Sequence, residues 1–266
     1  MFQGGMSAFN DFLYLLALVA GGLFLLYKKI DGADFTAFIL YITMLLTPLR
    51  TLVALFEQIQ DGMTGFRLAC ARGASMARAG KNVNASMAAI VKLPDETVER
   101  LCAAYDHVWP VNYNCDGQIA VSGDRDELER LYADVAAAGG RSMPLNVSGG
   151  FHSPYMDPAS AEFGAILADT ALQKPALPAY ANRTAEPYGE NVRELLTQQI
   201  NHPVRWKETL RHLNEQGFDT FVECGAGMVL CKLVRKNLPE CRSFAVDSLA
   251  GLAKLQEEGM LCCSAT

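Results

Sequence analysis

None of the eight cysteines stands in a Cys-x-x-Cys pair, and no Cys/His set has the spacing of zinc ligands. Scattered thiols in a chain of 266 residues fit a reducing compartment better than a disulfide scaffold. No Gly-x-x-x-x-Gly-Lys-Ser/Thr phosphate loop occurs, so no ATP site is expected. Basic clusters are also missing. The net charge is −6, with 23 basic against 29 acidic residues, and nucleic acid is not an expected partner. No internal repeat and no long linker divide the chain.

What is there is unevenly spread. Half of the residues (50%) are hydrophobic, and residues 1–66 are the densest in Leu, Phe, Ala and Ile. Phe12 to Tyr27 carries no charge and approaches the roughly 20 residues that cross a bilayer. Lys28-Lys29 follow this run instead of preceding it, and no small-residue cleavage site is in place, so it does not read as a secretory leader. A second apolar run, Phe35 to Leu55, is interrupted by Pro48 and Arg50. The polar link Lys28 to Asp34 between them is short. The expectation is a transmembrane helical hairpin, with the bilayer contacting residues 9–55. A buried helix pair in a soluble domain is the other reading. The two lysines favour a cytoplasmic loop on charge bias.

Gly21-Gly22-Leu23-Phe24-Leu25-Leu26, Phe35 to Tyr41, Leu46-Thr47-Pro48-Leu49-Arg50, Phe56-Glu57-Gln58 and Gly62-Met63-Thr64-Gly65 together resemble the last two helices of an ABC-exporter transmembrane domain, over about residues 5–66. That resemblance implies an outward-facing loop, against the lysine bias. It also implies an alternative role, a membrane-anchored remnant with a structural or binding function.

From Ser86 the pattern is that of a globular domain. Strands are expected over 87–93, 108–114, 118–122 and 142–147, and helices over 94–105 and 124–138. Pro94 and acids suit a first helical turn, Asp116-Gly117 suits a hairpin turn, and Gly139-Gly140 suits a helix end. The order strand-helix-strand-strand-helix-strand is ferredoxin-like, over 86–147. Beyond it lie expected helices over 158–172, 191–199 and 204–216, and one after Gly227. Strands are expected over 178–182, 220–223 and 243–246, before a last helix. This alternation argues an α/β layer.

Arg72-Gly73, Val147-Ser148-Gly149-Gly150-Phe151-His152-Ser153 and Gln199-Ile200-Asn201-His202-Pro203-Val204-Arg205-Trp206 resemble, in order and spacing, the C-terminal part of the malonyl-CoA:acyl-carrier-protein transacylases, over about residues 68–257. The resemblance implies a fold: part of an α/β-hydrolase-like acyltransferase large subdomain, with an inserted ferredoxin-like small subdomain. The domain division is then 1–66 for the hairpin, 67–257 for the transacylase-like part and 258–266 for a tail. The two pieces meet near Arg67.

The resemblance also implies an activity. Malonyl passes from coenzyme A to a serine, then to the phosphopantetheine thiol of acyl carrier protein, for fatty-acid or polyketide synthesis. Malonyl-CoA and acyl carrier protein are the implied partners, no cofactor is implied, and the transacylase-like part is expected in the cytoplasm. By position, His152 corresponds to the catalytic base. Taken alone, a histidine after Gly-Gly is more often structural. Gln199 corresponds to the residue whose backbone carbonyl orients that imidazole. Arg72 corresponds to the clamp on the malonyl carboxylate, where a planar guanidinium makes two parallel bonds. Asn114 to Gln118 and Glu223-Cys224-Gly225-Ala226-Gly227 resemble structural segments of the family, with Ala226 where the family has proline. The family's nucleophilic serine sits in a Gly-x-Ser-x-Gly elbow, which these 266 residues do not contain. Ser75 lies beyond where the elbow belongs and is rejected. The expectation is a chain inactive on its own.

Overall fold

The chain divides into two units, Met1–Cys70 and Ala71–Thr266. The computed structural model describes residues 12, 15, 16, 18–29, 31, 34–36, 62–81, 83–147, 149–173 and 175–260.

In the first unit the described helical residues are 12, 15, 16, α1 (18–26), 34–36 and the beginning of α2 (62–81). Lys28 has a left-handed backbone, with φ 53°, and its N–H bonds Leu25 O, three residues back, at 3.0 Å. Among the described residues no helix is long and apolar enough to cross a membrane. The expected transmembrane hairpin over 9–55 therefore finds no support there. Its second run, Phe35 to Leu55, lies outside the described residues from 37 onward, as do the exporter-like motifs from 37 to 58 and the tail residues 261–266.

The second unit is built on an antiparallel sheet in the order β2-β3-β1-β4. Its elements are β1 (Ala85–Val91), α3 (Asp95–Cys102), β2 (Val108–Cys115), β3 (Gln118–Asp124), α4 (Arg125–Ala137) and β4 (Arg141–Pro144). Alternation along β1 explains how both faces fill. Ala88 and Ile90 join Ile119 and Val121 against Val98 and Cys102 of α3 and Leu128, Leu131 and Val135 of α4. Met87 faces the other way with Val111 and Ala120, and there Val147 and Phe151 pack on. The β2–β3 turn has Gly117 at φ 70°, as the Asp-Gly pair suggested.

Pro110 removes a ladder donor from β2, which is tolerable because β2 is an edge strand. The ladder shifts register between Pro110 and Asn112. The open edge is then covered from a distance: Val204 N–H donates to Val111 O at 2.7 Å and Tyr113 N–H to Val204 O at 2.9 Å.

Next come α5 (Asp157–Ala168), α6 (Val192–Gln198) and α7 (Trp206–Glu215), then β5 (Thr220–Cys224), α8 (Val229–Asn237), β6 (Arg242–Val246) and α9 (Leu249–Glu257). Gly164 lets α5 approach α6; a Cβ there would meet Thr197 at 3.1 Å. β5 and β6 pair in parallel through a helical crossover, the α/β pattern that the alternation implied. The strand expected over 178–182 is reduced to a single bridge, Tyr180 to Pro187. Pro178 cannot donate to a ladder, and the chain folds back through Ala185, at φ 58°. β4 likewise ends at Pro144 instead of Val147.

The small sheet is fastened to the later helices through its β2–β3 turn. Lys207 of α7 pairs with Asp95 and, at 3.2 Å, with Asp116. Lys236 donates to Gln118 Oε1 at 2.8 Å and Asn237 to Asn114 O at 2.9 Å. This gives the Asn114–Gln118 segment the structural part that its resemblance implied.

Candidate active site

His152 follows two glycines for steric reasons. A Cβ on Gly150 would come within 2.7 Å of Tyr155. The turn is closed by Ser153, whose buried hydroxyl donates to Gly150 O at 2.5 Å, and by Met156 N–H, which donates to Ser153 O at 2.9 Å. His152 itself sits at φ 60°. For a residue with a Cβ that costs on the order of 1 kcal/mol, and such strain gathers at functional positions. Phe151 anchors the turn against the Met87–Val111–Ala120 face of the sheet.

Gln199 arrives by a separate route. It closes α6, and the segment after it is pinned to the β2 edge at Val204. One sheet thus grips both partners, one on its face and one on its edge. His152 Nδ1 and Gln199 O lie 2.8 Å apart. A carbonyl only accepts, so Nδ1 carries the hydrogen and Nε2 is left with a free lone pair.

Burial pushes the His152 imidazole below its ordinary value; the bonds to the Gln199 and His202 main chain work against burial, and the Arg72 charge adds to it. The ring is therefore neutral at pH 7, the form that can take a proton. Arg72, on α2, is the residue whose field reaches it. Burial lowers the Arg72 value too, with the Tyr188 hydroxyl opposing. Its Nε is buried without a hydrogen-bond partner, so one donor of the guanidinium is unsatisfied within the fold. Tyr188 was not anticipated from the sequence. Burial raises its value while Arg72 lowers it, so phenol and guanidinium act on one another. No spacing rule could have found it, because the turn through Ala185 delivers it.

Ser75 is buried and accepts from Arg78 Nη2 at 3.3 Å. Glu223 explains its own motif: its carboxylate accepts from Cys231 N–H at 2.8 Å, and the bonds it receives from the first turn of α8 lower its value. Gly225 and Gly227 take φ 141° and 90° in the same strand-to-helix turn. Among the described residues no cluster could hold a metal ion.

A buried imidazole with a free ring nitrogen lies within the field of an arginine, in an α/β unit carrying a split βαβ sheet. The acyl transferase domain family matches residues 62–263, and the chain belongs to that family. It is 35% identical over 182 residues to the polyketide biosynthesis malonyl CoA-acyl carrier protein transacylase PksC of Bacillus subtilis, covering 66% of this chain and 62% of that protein. A malonyl CoA-acyl carrier protein transacylase from Clostridium perfringens superposes with a TM-score of 0.70 at 31% identity, covering 73% of this chain and 63% of that one. A type II PKS acyl-carrier protein in complex with its malonyl-transacylase, PlMCAT:AntF, matches with a TM-score of 0.68 at 32% identity, covering 72% and 64%. The chain thus spans less than two thirds of the length of these relatives.

Proposed function

We propose that this chain carries the base and the carboxylate clamp of an [acyl-carrier-protein] S-malonyltransferase, for fatty-acid or polyketide synthesis. The observation that carries the reading is the 2.8 Å contact of His152 Nδ1 with the Gln199 carbonyl, together with the Arg72 charge acting on the same ring. In this reading Nε2 takes the proton of an attacking hydroxyl or thiol and returns it to the departing thiolate. Arg72 binds the free carboxylate of malonyl and so favours it over acetyl. One thioester is exchanged for another through an ester, and the reaction needs no cofactor; the phosphopantetheine comes on the carrier protein. The complex formed by the PlMCAT transacylase with its carrier protein supports acyl carrier protein as the partner here.

Two outcomes test this. The purified chain should bind malonyl-CoA about tenfold more tightly than acetyl-CoA, with the preference lost in Arg72→Gln; equal binding by calorimetry overturns the clamp. Malonyl transfer to holo carrier protein by the 266 residues alone should stay at background, since they contain no Gly-x-Ser-x-Gly elbow and an activated nucleophile with its oxyanion donors carries many orders of magnitude of rate. Turnover at an ordinary enzymatic rate would defeat the inactivity.

One observation favours a second reading for the first unit, a membrane anchor resembling an exporter remnant. Leu23, Phe24, Leu26 and Tyr27 of α1 and its end are exposed, an apolar surface of the kind that lipid covers. Membrane association resistant to alkaline carbonate is then expected, and a fully extractable chain excludes it.

A further inference from the structure

Three successive main-chain carbonyls at the end of α6 each receive a side-chain donor from elsewhere in the chain. Thr197 O accepts from Ser160 Oγ at 3.0 Å, Gln198 O from His202 Nδ1 at 2.9 Å and Gln199 O from His152 Nδ1 at 2.8 Å. The last carbonyls of a helix have no partner within it. Thr197 O and Gln198 O also take longer main-chain bonds, from Ile200 N–H and Asn201 N–H at 3.3 Å, so the shorter side-chain bonds weigh most in setting their directions. The Gln198 peptide plane immediately precedes the plane that carries the Gln199 oxygen.

His202 is itself held. Its Nδ1 also lies 2.8 Å from Asn201 Oδ1, and Asn201 Nδ2 donates to Asp157 Oδ1 at 2.7 Å. A carboxylate accepts, so the Asn201 amide turns its NH₂ to Asp157 and its oxygen to the imidazole. His202 Nδ1 then faces two acceptors and must carry a hydrogen. Asp157 opens α5, five residues after His152, so the network runs from the histidine turn back to the end of α6. Val204, two residues on, fastens it to the β2 edge.

We propose that His202 is a positioning residue: its Nδ1–H, oriented by Asn201 and Asp157, holds the Gln198 carbonyl and thereby aims the Gln199 carbonyl at His152. The proposal rests on the reading of His152 as the base. His202 touches neither malonyl nor the reacting thiol in it; it acts through the main chain.

The test is ring-nitrogen NMR on the full chain labelled at histidine. Neutral His202 and neutral His152 should both appear as Nδ1–H tautomers. His202→Leu should lower the titration midpoint of His152 by about half a pH unit, the effect of weakening one hydrogen bond to a cation. His202→Asn places an amide NH₂ where Nδ1 was and should restore the midpoint. The His202 main chain also bonds the His152 ring, so lost packing alone would shift the His152 midpoint equally in His202→Leu and His202→Asn, and that equality overturns the proposal. An Nε2–H tautomer at His202, or an unchanged His152 midpoint in His202→Leu, overturns the proposal. Should His202→Leu not fold, Asn201→Leu decides: releasing the imidazole from Asp157 should shift His152 in the same direction, and no shift overturns the proposal. If malonyl preference is absent while these signals behave as stated, it is the acyl-transfer reading that fails and the positioning role that stands.

Discussion

The proton on Nδ1 of His152 is placed by an oxygen that can only accept, and the rest of the site's acid-base behaviour follows from the ring's surroundings. Burial and the Arg72 charge favour the neutral imidazole over the cation. The unfolded chain, with an ordinary histidine value near 6.5, therefore binds a proton at a pH where the folded chain does not. Stability falls as pH drops below about 6.5 and levels off once pH passes the lower folded value. Denaturant melts of the native chain and of His152→Gln, compared at pH 7.5 and 5.5, should show a smaller loss in the variant; an identical loss removes His152 from the account. His152, Gln199 and Arg72 stand out in the sequence only through motif order. His152 alone reads as a turn histidine, and Gln199 acts through its backbone, which leaves no mark on side-chain type. Tyr188 left no signal at all.

At the scale of elements, local chemistry was the readable part. Asp124, at the edge of an expected helix, caps α4: its carboxylate accepts from Asp126 N–H at 3.0 Å and Glu127 N–H at 3.2 Å. Asp124→Ala should cost about 1 kcal/mol and Asp124→Asn much less, read as a shift in urea midpoint; equal midpoints for native and Ala forms would remove the cap from the stability of the helix. The Asp-Gly hairpin and the amphipathic α4 were readable for the same reason, since neighbours in sequence decide them. The 178–182 segment was not. Its composition suits a strand, but Pro178 and the turn at Ala185 leave it one bridge. Helix α5 stops at Ala168, short of the expected Leu172, where Arg193 takes the closing carbonyls of Leu167 and Thr170 at 2.8 and 2.9 Å. That terminator lies on another helix, so the sequence near 168 does not announce it.

For the whole molecule, the alternation of strands and helices pointed to an α/β layer and the motif resemblance to an acyltransferase fold, and a neighbour at a TM-score of 0.70 agrees. What alternation did not show is how distant segments meet. The pairing of Asn112 with Val204 joins residues from opposite halves of the second unit, and the Lys207 bridge to Asp95 and Asp116 does the same. Neither has a local signature, because each partner reads as an ordinary polar or apolar residue until the chain is folded.

The small sheet holds the histidine turn on its face and the Gln199 segment on its edge. Base and carbonyl therefore ride on a shared carriage. If the sheet rocks as a body, both travel together and their separation survives, as a common drift cancels in a differential measurement. Slippage of the Val204 edge relative to the Phe151 face can pull imidazole and oxygen apart, so the fidelity of the pair depends on that narrow seam as well as on the side-chain bonds at the end of α6.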